Sequence, residues 1–456
     1  MRQLFALFFA ARVIFVLAFD TDDTDLKLYA QYAMEMAYAD RLHVPFYEYH
    51  QRYIDSELAA WKKAGGPPLS DAVRVVEYPP LAIGWILIPA VFVPAPPADG
   101  VITDALKDAY KRAYRWVMLA LDSLLFLIIL RTGSRERALL YIVGGGLLYH
   151  VLYDRLDLVV GGLMLIALSL LVSTRHVLWS FTALAAAIGF KVVPVAIAPI
   201  FLIASIPMAL FGWRPLLSRA LLLAALCALF FVPFYLAAGE PVLAFLGYHA
   251  ARGLQIESAP SALLLLLSYV GHEIRVVQGF GSYNLASSLS TLLASVSSVV
   301  LPLSLGIASL AFLRRVSRSP RSPHADALGT ETFAQRYPRE TASWVVLMVL
   351  IAMLGAKVLS PQYLLWLVPL VPMVEPDAHR YAGLAKIFLL ACLLTTIIFP
   401  HYYPSDIARI VINPFLQPEI LPPSALGKAL IIARNAVLLT LAVMIARPIA
   451  LRPPTR

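Results

Sequence analysis

Charge is scarce in this sequence: only 14% of its 456 residues are Asp, Glu, Lys or Arg. A soluble chain of that length needs far more charge to cover its surface, which excludes a water-soluble globular enzyme. Cysteine is nearly absent. The two present, Cys227 and Cys392, lie in apolar runs and read as small packing residues, not as a disulfide or a metal site. No convincing small-x-small cleavage site follows the apolar start, so residues 1–19 read as an uncleaved signal anchor. Repeats of the solenoid type and inverted repeats of the transporter type are also missing. "GFGS" (279–282) has no strand–turn–helix context and is no dinucleotide loop.

What fills the chain is apolar: 60% hydrophobic residues and a mean hydropathy of +0.75. An all-α polytopic membrane protein follows. Apolar runs cover roughly 3–19, 113–130, 138–152, 157–173, 177–190, 192–211, 219–237, 286–313, 341–357, 362–374, 382–399 and 425–446. Two more stretches, 78–97 and 261–270, are short and are read as re-entrant or interfacial segments. The net charge of +9 needs no nucleic acid to explain it. With twelve spans and both termini cytoplasmic, the basic segments "RTGSRER", "STRH", "GWRPLLSR", "RRVSRSPRSPH", "DAHR" and the tail all fall inside. The long loops 20–112 and 238–285 then lie outside, and 314–340 is a flexible cytoplasmic loop of one transmembrane domain covering 1–456. "GGG" (144–146) inside a run marks a close helix contact. Arg12 and Asp122, each in mid-run, are expected to pair, because a lone charge there is costly.

The unusual polar groups gather in the outer connections. "FDTDDTDLKLY" puts Asp20, Asp22, Asp23 and Asp25 at the head of an amphipathic surface helix carrying Leu28, Tyr29, Tyr32, Ala33 and Met36. Asp25 caps that helix and complements its dipole, or does chemistry; both readings stand. "EYPPLA" adds Glu77 and Tyr78 beside a rigid proline turn. "YDRLD" adds Asp154, Arg155 and Asp157, for which a local ion pair is the simpler reading. "GFKVVP" leaves Lys191 at a helix edge, either snorkelling or holding a phosphate. "HAARGLQIES" supplies His249, Arg252 and Glu257, "KVLSPQYLLWLVP" supplies Lys357, Gln362 and Tyr363, and "FPHYYPSD" supplies His401. Lys191, Arg252 and Lys357 have no equal number of acids near them in sequence, and a lipid phosphate would supply the missing charge.

In this order and spacing, "TDLKLY", "EYPPLA", "DRLDL", "GFKVVP", "RGLQIES" and "KVLSPQYLLWLVP" resemble glycosyltransferase family 87 of the GT-C membrane glycosyltransferases, over about residues 1–410. That family contains polyprenyl-phosphate-mannose-dependent α-mannosyltransferases. The resemblance implies a GT-C fold with about twelve spans and interfacial helices in the first outer loop. It implies inverting transfer of a hexose from a polyprenyl-phosphate donor to a lipid or glycan acceptor outside the cytoplasm. It gives Asp25 the role of general base, with Asp22, Asp23 and Glu77 as supporting acids. It gives the donor phosphate to Lys191, Arg252 and Lys357. Residues 50–76 look like an insertion into the family's loop.

The chemistry is self-consistent. A lipid phosphate is already a good leaving group, so no general acid, cofactor or metal is required. A base near the acceptor hydroxyl and positive charge near the departing phosphate suffice. A secondary transporter or flippase for a lipid-linked anion is the competing reading; alternating access places its site near the midplane, not on one face. A non-catalytic subunit or receptor would leave the acidic loop without a purpose.

Overall fold

The computed structural model describes residues 2–18, 24–63, 75–95, 102–131, 134–173, 177–319, 330–374, 378–411 and 419–451. The chain opens with α1 (Arg2–Ala18), α2 (Thr24–Arg41), α3 (Phe46–Lys63) and α4 (Pro80–Ala90). Next come α5 (Asp104–Leu130), α6 (Arg135–Leu147), α7 (Tyr149–Leu152), α8 (Asp157–Ser173), α9 (Val177–Phe190) and α10 (Ala198–Ala204). The middle holds α11 (Trp213–Ala238), α12 (Ala244–Ala251), α13 (Ala259–Leu267), a hairpin of β1 (Arg275–Gly279) and β2 (Ser282–Ala286), and α14 (Ser290–Ser317). The last third holds α15 (Phe333–Arg336), α16 (Pro338–Gly355), α17 (Leu364–Leu367), α18 (Ala378–Thr396), β3 (Arg409–Val411), β4 (Glu419–Leu421) and α19 (Ala425–Leu451).

Among the described residues six stretches are long and apolar enough to cross a membrane: α5, α11, α14, α16, α18 with its π-helical continuation to Ile407, and α19. The protein is therefore a multi-pass helical membrane protein. The other apolar runs form shorter or broken helices. Run 192–211 divides into a 3₁₀ turn (Val193–Ile197), α10 and a second 3₁₀ turn (Met208–Leu210). Run 362–374 divides likewise around α17. Prolines are the cause: Pro194, Pro199 and Pro207 interrupt the first run, and Pro369 and Pro372 the second. Leu364 to Leu367 are wholly buried, and irregular backbone is tolerated at membrane depth where protein covers it.

Strands were not expected. β1 and β2 pair antiparallel through a turn at Phe280 and Gly281, both with positive φ, which is the geometry a tight hairpin demands. A second small sheet pairs β3 with β4. The segment 314–340 is less of a loop than its composition suggests. α14 runs on to Ser317, and Thr332 caps α15 with a reciprocal Thr332–Gln335 box.

The first outer loop also differs from expectation. The surface helix stops at Arg41, turns at His43 with positive φ and resumes as α3. The helical part of the 50–76 segment is thus the body of α3. α2 is covered, not bare: Leu26, Tyr29, Ala30, Tyr32, Ala33 and Met34 are all buried. α3 packs on α2 through the buried hydrogen bond between Glu35 and His50 at 2.6 Å, and α4 and α5 also pack against α2.

The expected Arg12–Asp122 pair is present. Arg12 Nε donates to Asp122 at 3.1 Å and Nη2 to the Ile142 carbonyl at 2.9 Å. The hydroxyls of Tyr141 and Tyr153 also donate to Asp122, so the buried carboxylate is fully solvated by protein. The glycine run makes room for this. A Cβ on Gly145 would sit 2.6 Å from the Arg12 guanidinium, and one on Gly144 would sit 2.9 Å from the Phe388 ring.

Candidate functional site

The turn between α7 and α8 is the hub of the site. The chain reverses over residues 153–157, and successive polar side chains leave it in different directions. Tyr153 reaches Asp122 at 2.6 Å. Asp154 accepts a two-pronged bond from Arg115 of α5, at 2.8 and 2.9 Å. Arg155 pairs with Asp25 of α2. Asp157 opens α8 and accepts from Lys191 at 2.8 Å and from the Trp366 indole at 2.7 Å. The "YDRLD" charges therefore do not pair locally; each fixes a different distant element. A fork-on-carboxylate bond such as Arg115–Asp154 adds geometry as well as energy.

Asp25 sits in the first turn of α2, where a carboxylate complements the helix dipole. Its side chain keeps 25% exposure, while Arg155 is buried to 9%. Asp154 and Asp157 are each only 3% exposed, so of these aspartates Asp25 is the one open to a ligand. Asp22 and Asp23 lie outside the described residues.

Lys191 follows the last residue of α9, where a cation is favoured. It is not without an acid, since Asp157 holds it. Its ammonium also lies over the rings of Tyr363 and Trp366, at 4.9 and 5.3 Å, and those rings stack at 4.2 Å. Arg252 and Lys357 differ. The buried Nε of Arg252 has no hydrogen-bond partner, and neither side chain forms an ion pair among the described residues. Lys357 donates to the Ala250 carbonyl at 2.6 Å, which pins the turn carrying Arg252. Burial, and then the Arg252 charge, hold its ammonium below the ordinary lysine value.

Gln255 zips these two segments together. Its backbone N–H donates to the Lys357 carbonyl at 3.0 Å, its side-chain oxygen accepts from Leu359 N–H at 2.7 Å, and its amide reaches Ser360 at 3.3 Å. The motifs "RGLQIES" and "KVLSP" are thus one structural unit.

Glu77 joins the two outer loops. Tyr32, Tyr248 and His249 all lie close enough to Glu77 for its charge or backbone to shift their titration. The Tyr29 and Tyr78 hydroxyls meet at 3.4 Å beside it. Burial raises both phenols well above their ordinary value, so they stay protonated donors. His249 is held below its usual value by the loops around it and then by Arg252 and Lys191; its exposed edge moderates that effect. Tyr248→Phe removes a hydroxyl close to Glu77 and is expected to cost about 1 kcal/mol of stability, read as a small fall in the unfolding midpoint with residues 238–285 loosened to proteolysis.

Three expected residues fall elsewhere. Glu257 faces no cavity: it is 1% exposed, with Arg434 donating to its carboxylate at 2.5 Å and to its carbonyl at 2.6 Å. Burial raises its carboxyl and Arg434 opposes the rise. His401 is exposed and meets Tyr149 at 3.2 Å, apart from the cations. Gln362 is half-buried beside Tyr363. Four residues that sequence reading passed over matter as much: Arg115, Tyr248, Trp366 and Arg434. Arg115 and Arg434 had a signal, a cation set in an apolar helix ("AYRWVML", "IIARNAVL"), the same signal that singled out Arg12. Among the described residues no group of three or more His, Cys, Asp or Glu is arranged to hold a metal ion. Compared with known protein families, curated proteins and solved structures, the chain matches none of them.

Proposed function

We propose that this chain is a membrane glycosyltransferase of the GT-C type. It moves a hexose, mannose by the family 87 resemblance, from a polyprenyl-phosphate donor to a lipid or glycan acceptor. Twelve passes through the plasma (inner) membrane, with both termini cytoplasmic, would put the site on the extracytoplasmic face. In the reaction the acceptor hydroxyl loses its proton to the Asp25 carboxylate. The acceptor oxygen bonds to the anomeric carbon from the face opposite the phosphate. The carbon–oxygen bond to the phosphate breaks, and polyprenyl phosphate leaves with the electron pair. Inversion at the anomeric carbon follows from this single displacement.

One observation carries the reading. A single turn, 153–157, holds the open carboxylate of Asp25 through Arg155 and the Lys191 ammonium through Asp157. Base and cation are thereby held at a fixed separation, the requirement for an in-line displacement between two bound substrates. Arg155 contacts one carboxylate oxygen of Asp25 and ties it to the 153–157 turn. Arg252 and Lys357 bring positive charge that forms no ion pair among the described residues, available to stabilise a departing phosphate.

The test is incubation of the purified full-length protein with polyprenyl-phosphate sugars and a membrane lipid extract. A glycosylated lipid is expected with the wild type. Lys357→Met and Arg252→Met should each lower kcat/KM by about 10²-fold. Absence of any transfer, combined with uptake of the lipid-linked sugar into sealed vesicles, would establish a transporter in its place.

A further inference from the structure

The opposite end of the molecule holds a second cavity. α8 begins at Asp157 in the outer site and, 17 residues long, runs about 25 Å to its other end. There Leu171, Val177 of α9, Ser205, Pro207, Arg219 of α11 and the segment Thr330–Gln335 enclose about 210 Å³. The segment is held in place by backbone: Pro207 bridges to Thr332, and Met208 N–H donates to the Glu331 carbonyl at 3.0 Å.

The wall is mostly apolar; its polar residues are Ser205, Arg219, Thr330, Thr332 and Gln335, with no acid among the described lining residues. Arg219 lines the cavity, has a buried Nε without a hydrogen-bond partner and forms no ion pair among the described residues. Thr332 accepts the Gln335 N–H at 3.3 Å, and its own O–H has no acceptor among the described residues. Buried donors left unsatisfied cost about 1–3 kcal/mol each, more when charged. A guanidinium beside hydroxyls, without a carboxylate, matches a tetrahedral oxyanion. The apolar wall of Leu171, Val177 and Pro207 suits a group that is anionic at one end only.

We infer that this cavity binds a phosphate group, at a site separate from the outer one, with Arg219 and Thr332 as its ligands. The phosphate is either that of a phospholipid in the adjacent leaflet or a soluble anion. An organic phosphate at this end would tie the Thr330–Gln335 segment to α11, because it bonds both.

The experiment uses the full-length protein in an uncharged glycoside detergent, with binding isotherms and thermal unfolding as readouts. The probes are inorganic phosphate, short-chain phosphatidylglycerol and, as control, a short-chain diacylglycerol. Saturable binding and a raised midpoint are expected with a phosphate probe and not with diacylglycerol. Arg219→Gln should weaken binding about tenfold or more, the worth of a charge-assisted bond. Thr332→Val should weaken it several-fold, while Thr332→Ser, which keeps cap and hydroxyl, should not. The double variant Arg252→Gln/Lys357→Met, which removes two cations of the proposed donor site, should keep the Arg219-dependent binding. Saturation by inorganic phosphate assigns a soluble anion, and saturation by phosphatidylglycerol alone assigns a lipid headgroup. Binding that survives both Arg219→Gln and Thr332→Val, binding lost only in the outer double variant, or no binding of either phosphate probe overturns the inference. Because Thr332→Val loses only a cap worth ~1 kcal/mol, it still tests the site should Arg219→Gln fail to fold.

Discussion

Replacing Asp25 by Asn is expected to lower glycosyl transfer by about 10²–10⁴-fold while the protein folds and purifies normally. Asn starts a helix about as well as Asp, so α2 keeps its first turn. The amide oxygen still accepts from Arg155, so the 153–157 turn keeps its ties to α5, α9 and α17. What is lost is a group able to take the acceptor's proton. Donor binding, which the proposal assigns to Lys191, Arg252 and Lys357, should change little, so kcat falls and the donor KM does not. A folded Asp25→Asn protein with near-normal turnover would sink the assignment. Glu77 would then be the next carboxylate to replace, with Asp22 and Asp23 after it.

Arg434→Met is expected to destabilise the protein by about 3–5 kcal/mol, because it strands a buried carboxylate. Arg434 and Glu257 are 0% and 1% exposed, and Asn435 adds bonds to the Glu257 and Ser258 carbonyls at 3.2 and 3.3 Å. Glu257 lies in the same extended segment as Arg252 and Gln255, so a loosened Glu257 also releases the cations of the outer site. The paired variant Glu257→Gln/Arg434→Met should recover most of the stability, since exchanging both members of a buried ion pair for neutral groups is often neutral. Thermal unfolding in detergent measures all three proteins. An Arg434→Met midpoint equal to that of the wild type would show that the pair contributes only geometry.

Much of the helical layout was legible along the chain. Each apolar run became helical structure, because in a span every backbone N–H and C=O must be satisfied within the segment. α4 and α13 are short, as their prolines and length implied, and "GGG" is a close contact. Composition could not tell an intact helix from a broken one: 192–211 and 362–374 have the hydropathy of spans but fracture at proline, and burial in protein makes the fracture tolerable. The hairpin of β1 and β2 escaped notice because only Phe280 and Gly281 mark it, and a positive φ at phenylalanine has no signature in sequence.

The candidate site shows where sequence reasoning stops. By itself the sequence determined which polar groups are costly: charge is so scarce that each one set among apolar residues demands a reason, and Asp25, Glu77, Asp154, Arg155, Asp157, Lys191, Arg252 and Lys357 stood out on that ground. Only the tertiary structure decided who answers whom. Asp157 met Lys191 across 34 positions and Trp366 across 209, and Glu257 met Arg434 across 177. Pairing depends on which helix ends the packing brings together, and packing is fixed by the whole apolar core, not by the residues that pair. The same reason separated Glu257 from the site and left Arg252 and Lys357 without an ion pair among the described residues. Desolvation makes every buried charge seek a partner, but the fold chooses the partner.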